Sequence, residues 1–148
     1  MILWTEKIAT GFPNLDKQHQ VLIDIINELG GHLTNPNFNP EELALLINQV
    51  DYIADYADLH FKGEEQCMER YQCPAHAQNQ KAHAQFREVI REYKSGLEKH
   101  GFNIELLKAL HGYMEKWILD HILQLDTQLQ PCKEASPSGD KSGAKRVK

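Results

Sequence analysis

The chain has 148 residues, 41% of them apolar and 25% charged, which is the size and mix of one soluble domain with a core of its own. No apolar run reaches the roughly 18 residues a membrane span needs, and Met1–Glu6 lacks a basic region leading into a long apolar stretch, so no membrane anchor or secretion signal is expected and the cytoplasm is the expected compartment. The net charge of −5 is uneven: residues 131–148 carry Lys133, Lys141, Lys145, Arg146 and Lys148 against Glu134 and Asp140, which is +3 and leaves −8 on the body, a sign that argues against nucleic acid as a main partner.

Residues 1–14, with Gly11 and Pro13, read as an extended arm packed on the outside. From there apolar residues recur at three- and four-residue steps, the mark of helices with one buried face. The first helix is expected over 15–33, with Leu22, Ile25, Ile26, Leu29 and Leu33 inward and Gly30-Gly31 weakening its end. Asn35-Pro36-Asn37-Phe38-Asn39-Pro40 breaks the pattern, with Asn39 as N-cap and Pro40 at the first helical position. A second helix follows to about Tyr71 on a stripe of Leu43, Leu46, Ile47, Val50, Ile53 and Ala57. Pro74 starts a third, with Ala82, Phe86, Val89, Ile90, Tyr93 and Leu97 inward, and Gly101 ends it. Asn103 caps the fourth, whose core face is Leu107, Leu110, Met114, Trp117, Ile118, Ile122 and Leu125, and Pro131 closes the helical region. Residues 131–148, with their prolines, glycines and serines, read as a disordered basic tail. Short connections favour antiparallel neighbours. The expected fold is therefore all-α: an up-down-up-down four-helix bundle over 1–130 with an extended N-terminal arm.

Cys67, Cys73 and Cys132 match no zinc framework and are too few for a secreted disulfide scaffold. Reduced thiols are expected, with Cys132 near the chain end open to intermolecular pairing.

Polar groups interrupt the buried stripes. His19 precedes Leu22 by three residues, and His60 and Glu64 extend the inward row of the second helix past Ala57. His83 lies between Ala82 and Phe86, and His121 follows Trp117 and Ile118. A single inward histidine is commonly a hydrogen-bonded core residue, but a buried carboxylate is costly unless paired or metal-bound. In an alternating bundle the starts of the first and third helices share one end with the ends of the second and fourth. At about 1.5 Å rise per residue, His19, His60, Glu64, His83, His121 and Asp126 all fall within a few turns of that end. This points to a metal site. Imidazoles and carboxylates without a thiolate quartet suit iron, manganese or a related metal better than structural zinc. His60 and Glu64, spaced i, i+4, reach the same side of their helix. His121 and Asp126, spaced i, i+5, stand about 140° apart on a regular helix, so a local π-type turn is expected between them.

These residues carry a resemblance to the bacterial hemerythrins over about 1–130. Trp4-Thr5-Glu6 with Leu15-Asp16-Lys17-Gln18-His19 resembles the family's opening. His60-Phe61-Lys62-Gly63-Glu64-Glu65, with Met68 and Tyr71, resembles its second-helix motif, and Trp117-Ile118-Leu119-Asp120-His121-Ile122 ending in Asp126 resembles its His-x4-Asp motif. The resemblance implies a non-haem centre of two iron ions, bridged by Glu64, Asp126 and an oxygen from solvent. It implies that His19 and His60 hold one iron, which keeps an open position for oxygen, and that the other takes three histidines, two of them matched by His83 and His121. The third histidine is expected four residues before His83, where this chain has Asn79. Either the Asn79 amide oxygen is a weak ligand, or water fills the place, or His76 bends in from the start of the third helix. Against the last, His76 and His83 stand about 10 Å apart along a helix. His32, His100 and His111 lie away from the cluster, the first two near helix ends where a cation is favourable.

The expected function is binding of molecular oxygen or another small diatomic ligand, for storage, delivery or sensing, rather than turnover. The alternative is di-iron redox chemistry of the oxidase, peroxidase or nitric-oxide type, favoured by Asn79 because an exchangeable position invites faster oxidation. A bundle with one iron lost, serving only as a structural or signalling module, is a third reading. The Glu-x-x-His pairs of ferritin-like sites are absent. A sensing role would need a partner protein that the sequence does not identify.

Overall fold

The computed structural model describes residues 1–35, 38–101 and 103–135. It has four long helices, α1 (Pro13–His32), α2 (Pro40–Arg70), α3 (His76–His100) and α4 (Ile104–Gln124), then a short α5 (Leu129–Ala135), and no strand among the described residues. The expected disordered tail beyond residue 135, and the Pro36-Asn37 part of the expected break, lie outside the described residues. No helix among those described is long and apolar enough to cross a membrane.

Local chemistry sets the helix ends. α1 begins at Pro13, two residues earlier than expected, because proline's fixed φ and missing N–H suit a first turn. Asn39 caps α2: its Oδ1 accepts from the Glu42 N–H at 2.8 Å, and its Nδ2 donates to Glu42 Oε1 at 2.8 Å. Asn103 caps α4 by accepting from the N–H groups of Glu105 and Leu106. The end of α2 is a two-bond reversal. The Cys73 N–H donates to the Met68 carbonyl at 2.8 Å and the Gln72 N–H to Glu69 at 3.1 Å, with Gln72 in the left-handed region at φ 51°. That reversal delays α3 to His76 rather than Pro74.

The helices form a ring in which α1 and α3 each pack on both α2 and α4. The start of α1 meets the end of α2, where the His19 and His60 rings lie 4.2 Å apart, so these neighbours run antiparallel. Leu22, Ile26, Leu29, Ile53, Phe61, Leu107, Leu110, Met114, Ile118 and Ile122 are core residues of the bundle, each almost fully buried. A smaller cluster of Phe12, Leu15, Met68, Tyr71, Cys73, Ala75, Leu125 and Leu129 caps one end. The N-terminal arm packs against the outside, with one 3-10 turn at Glu6–Ile8. Asn27 holds it by accepting from the Ile2 N–H at 2.9 Å and donating to the Ile2 carbonyl at 2.7 Å.

Two expectations are corrected at the chain's end. The helical region does not close at Pro131, which sits in the first turn of α5, where a missing N–H costs no helical bond. Nor are all the thiols reduced: Cys73 and Cys132 form a disulfide, with Cα atoms 5.5 Å apart, and Cys67 alone is free. The reversal after α2 and the return of α5 onto α2 set this pair side by side, a proximity that a 59-residue separation does not announce.

Candidate metal centre

Between the main core and the apolar cap lies a layer of polar side chains. His19, His60, Glu64, Asn79, His83, His121 and Asp126 are all buried, and His121 is the most exposed of them at 5%. Each continues an inward stripe: His19 stands between Leu15 and Leu22 on α1, Glu64 between Phe61 and Met68 on α2, and His121 beside Ile118 and Ile122 on α4.

The six residues expected to act together converge. His19 Nε2 lies 3.0 Å from Asp126 Oδ2 and 3.3 Å from Glu64 Oε2, and His60 Nε2 lies 3.3 Å from that same Glu64 oxygen. On the other side His83 Nε2 is 3.1 Å from Glu64 Oε1 and 3.0 Å from His121 Nε2, which is 3.0 Å from Asp126 Oδ1. The result is two overlapping groups, His19–His60–Glu64–Asp126 and Glu64–His83–His121–Asp126, each with donor atoms within 4.8 Å of one another. Glu64 and Asp126 belong to both.

These donors fit a metal better than they fit each other. His19 Nε2, His60 Nε2, Glu64 Oε2 and both Asp126 oxygens are buried without a hydrogen bond of acceptable geometry, although oppositely charged atoms stand close by. Such orphaned groups are costly in a dry interior. Atoms that crowd together yet miss hydrogen-bond angles are aimed at common centres, as metal ligands are.

Electrostatics agrees. Burial disfavours a charged His19, but Asp126 and Glu64 outweigh burial and raise its pKa to about 10. The same two carboxylates raise His121 to about 9 against its burial. Burial and the neighbouring His19 together push His60 down. Burial pushes Glu64 up, yet contacts with His121, His19 and His60 hold its carboxyl well below the ordinary range. The layer thus keeps an anionic Glu64 to face a cation.

Outer contacts fix the rings. His60 Nδ1 is 2.8 Å from Gln18 Oε1, and His83 Nδ1 is 2.7 Å from Glu65 Oε2, so each ring donates outward and turns Nε2 inward. Phe61 stacks on His83 at 3.8 Å and Trp117 on His121 at 4.3 Å, excluding water from one ring face each. Gln18 and Glu65 belong to the quoted motifs, but their role as ring holders is not legible from the motifs themselves. The available signal is their position one residue from a ligand candidate in each case.

Asp126 arrives by a route other than the expected π-type turn. α4 stops at Gln124, the Leu125 N–H closes a bond to the His121 carbonyl at 2.9 Å, and a 3-10 turn begins at Asp126. Leu125, at φ −119° and ψ −50°, bends the chain so that Asp126 swings back over His121. Ending the helix closes the i, i+5 gap that a continuous helix leaves.

Asn79 lies in the layer but turns its amide nitrogen to the site. Nδ2 donates to Glu64 Oε1 at 2.9 Å and approaches Met68 Sδ at 3.2 Å, while Oδ1 is buried without a partner. His76 is half-buried at the first position of α3 and belongs to neither donor group. Of the remaining histidines, His32 bonds Gln49, and His111 reaches the Ile26 carbonyl at 3.0 Å.

Comparison with known proteins agrees with this layer. A family model described as the hemerythrin HHE cation binding domain matches residues 10–132. Three relatives each named bacteriohemerythrin are similar to the chain. That of Methylococcus capsulatus is 26% identical over 136 residues, covering 91% of this chain and 98% of its own. That of Stenotrophomonas maltophilia is 24% identical over 122 residues, with 82% and 74% covered. That of Pseudomonas aeruginosa is 25% identical over 121 residues, again with 82% and 74% covered.

Proposed function

The chain belongs to the hemerythrin HHE cation-binding domain family, and we propose that its buried layer holds two iron ions for the binding of molecular oxygen or another small diatomic ligand. The observation that carries this reading is the pair of overlapping donor groups sharing Glu64 and Asp126. A single-metal site would not need two carboxylates each facing imidazoles on both sides. The ligand set we assign is His19 and His60 for one ion, His83 and His121 for the other, and Glu64 and Asp126 bridging. Imidazole and carboxylate donors without thiolate suit iron, manganese or a related metal, and the family resemblance selects iron among these.

Iron supplies the electron density that oxygen takes up on binding. The chain's own residues do the rest. Gln18 and Glu65 hold His60 and His83 with Nε2 inward. Phe61 and Trp117 cover imidazole faces and keep water out. The apolar cap of Phe12, Met68 and Leu129 closes the end of the bundle over the layer. A dry surround would keep water and its protons away from a ligand held there.

The second reading, redox chemistry of the oxidase, peroxidase or nitric-oxide type, is favoured by Asn79, whose neutral amide stands where the family resemblance places an imidazole. One experiment separates the two. The anaerobically reduced protein, with iron counted per chain, is followed by absorption as oxygen is added and removed. Two irons and a band that grows and vanishes with oxygen support the binding reading. A single irreversible change supports redox chemistry, and a chain that retains no iron overturns both.

A further inference from the structure

We propose that the His83–His121 half of the layer has an exchangeable position of its own and takes a small monoanion there, admitted through the cavity between α3 and α4. The inference rests on the di-metal reading and deepens it.

Three observations carry it. First, the two halves are matched: each has two imidazoles and a share of the same two carboxylates, so neither is richer in donors. A half with two imidazoles and bridging carboxylates does not fill an octahedral ion. Whatever position is open on the His19–His60 side has a counterpart on the other. Second, Asn79 does not close that counterpart. Its Nδ2 is committed to Glu64 Oε1 and Met68 Sδ, and its Oδ1 remains buried without a partner. As placed, the amide orients the bridging carboxylate and donates no electron pair to a metal. Third, the His83–His121 half is the one nearest to solvent. A cavity of about 450 Å³ runs between α3 and α4; His121 is the one donor of the layer that lines it, with Trp117, Ala82, Lys81, Lys116 and Asp120 also in its wall.

Charge selects the ligand class. Two divalent cations carry four charges, of which Glu64 and Asp126 return two and a hydroxide bridge would return one more, and neutral imidazoles add none. Excess positive charge in a dry layer is costly until an anion offsets it. Lys116 is paired with Asp120 at 3.0 Å, so Lys81 is the cation of this wall that favours anions, and the 5% exposure of His121 restricts passage to small ones.

The test uses the intact chain loaded with cobalt(II) or iron, metal counted per chain, and azide as the probe, followed by absorption. The parent is expected to take two azides per metal pair. Asn79→His, which restores an imidazole at that position, is expected to take one. Ala82→Phe, which fills the cavity, is expected to slow azide association at the second position about tenfold without changing metal content. A parent that holds two metals but binds one azide, unaffected by Asn79→His, overturns this inference and leaves the di-metal reading standing. A parent that never holds more than one metal overturns both.

Discussion

The His111 ring of α4 lies across the bare backbone of Gly30 in α1: its Nε2 is 3.0 Å from the Ile26 carbonyl, and a methyl group on Gly30 would begin 2.6 Å from that nitrogen. Glycine inside a helix costs about 1 kcal/mol relative to alanine. Here the missing side chain makes the slot the imidazole occupies.

Gly30→Ala is accordingly expected to be neutral or destabilising despite its better helix propensity, because it expels His111 and breaks its bond to Ile26. In a His111→Ala background the same change should stabilise by about 1 kcal/mol. Thermal denaturation of the double-mutant cycle checks this. Equal effects in both backgrounds would show that the two residues are not coupled.

A second expectation concerns protons. Without metal, His19 and His121 have pKa values raised from 6.5 to about 10 and about 9, so both are protonated at neutral pH. A group with a raised folded pKa contributes stability that is fully present below its unfolded value and is lost as pH rises through the folded one. The metal-free chain should therefore lose this contribution progressively as pH rises from about 6.5, until it is gone above about 9 for His121 and about 10 for His19. A metal that takes these nitrogens must displace their protons. Loading at pH 7 should release about two protons per chain, and affinity should rise with pH. Calorimetric titration in two buffers of different ionisation enthalpy measures the release, and identical heats in both would contradict it.

Gln72 holds a left-handed conformation at φ 51° that glycine adopts freely. Gln72→Gly should relieve this at the end of α2, partly offset by the greater freedom glycine gives the unfolded chain. The expected result is a gain of up to about 1 kcal/mol with unchanged metal content. Chemical denaturation reads it, and a loss of stability would mean that the Gln72 side chain holds this turn.

The Cys73–Cys132 bond closes a loop across 59 residues. By loop entropy such a closure stabilises by about 4 kcal/mol at most. Reduction, or Cys132→Ser, should lower the denaturation midpoint and first loosen α5 and the apolar cap. Hydrogen exchange resolved along the chain measures this, and uniform loosening of all helices would argue against it.

The site was legible in the sequence to the extent that helix geometry dictates it. His60 and Glu64 share a face by their spacing. Alternating helix direction brings His19, His83 and His121 to the same end, whatever the detailed packing. Asp126 was readable as a member of the set but not by its path. The bend at Leu125 has no glycine or proline to mark it, and it follows from Leu125 and Leu129 packing into the cap. Asn79 was visible as a departure, but its amide orientation depends on the placing of Glu64 and Met68. The disulfide is not legible in the sequence, because a separation of 59 residues says nothing of where α5 returns. Gly30-Gly31 looks like no more than a weak helix end in the sequence, since the ring that needs Gly30 lies on α4, more than eighty residues on.

The apolar cap also determines how an ion gets in. A hydrated cation is too large and too polar to pass beside the barely exposed His121, and the end of the bundle is closed by Phe12, Met68, Leu125 and Leu129. A route through the cap would need a fluctuation that lifts α5 from the last turns of α2, which it touches. The Cys73–Cys132 bond spans that seam. A chain with the bond formed is therefore expected to acquire and surrender metal more slowly than one with free thiols. Two preparations with the same equilibrium affinity can thus differ widely in how much metal they carry, according to their history rather than their thermodynamics.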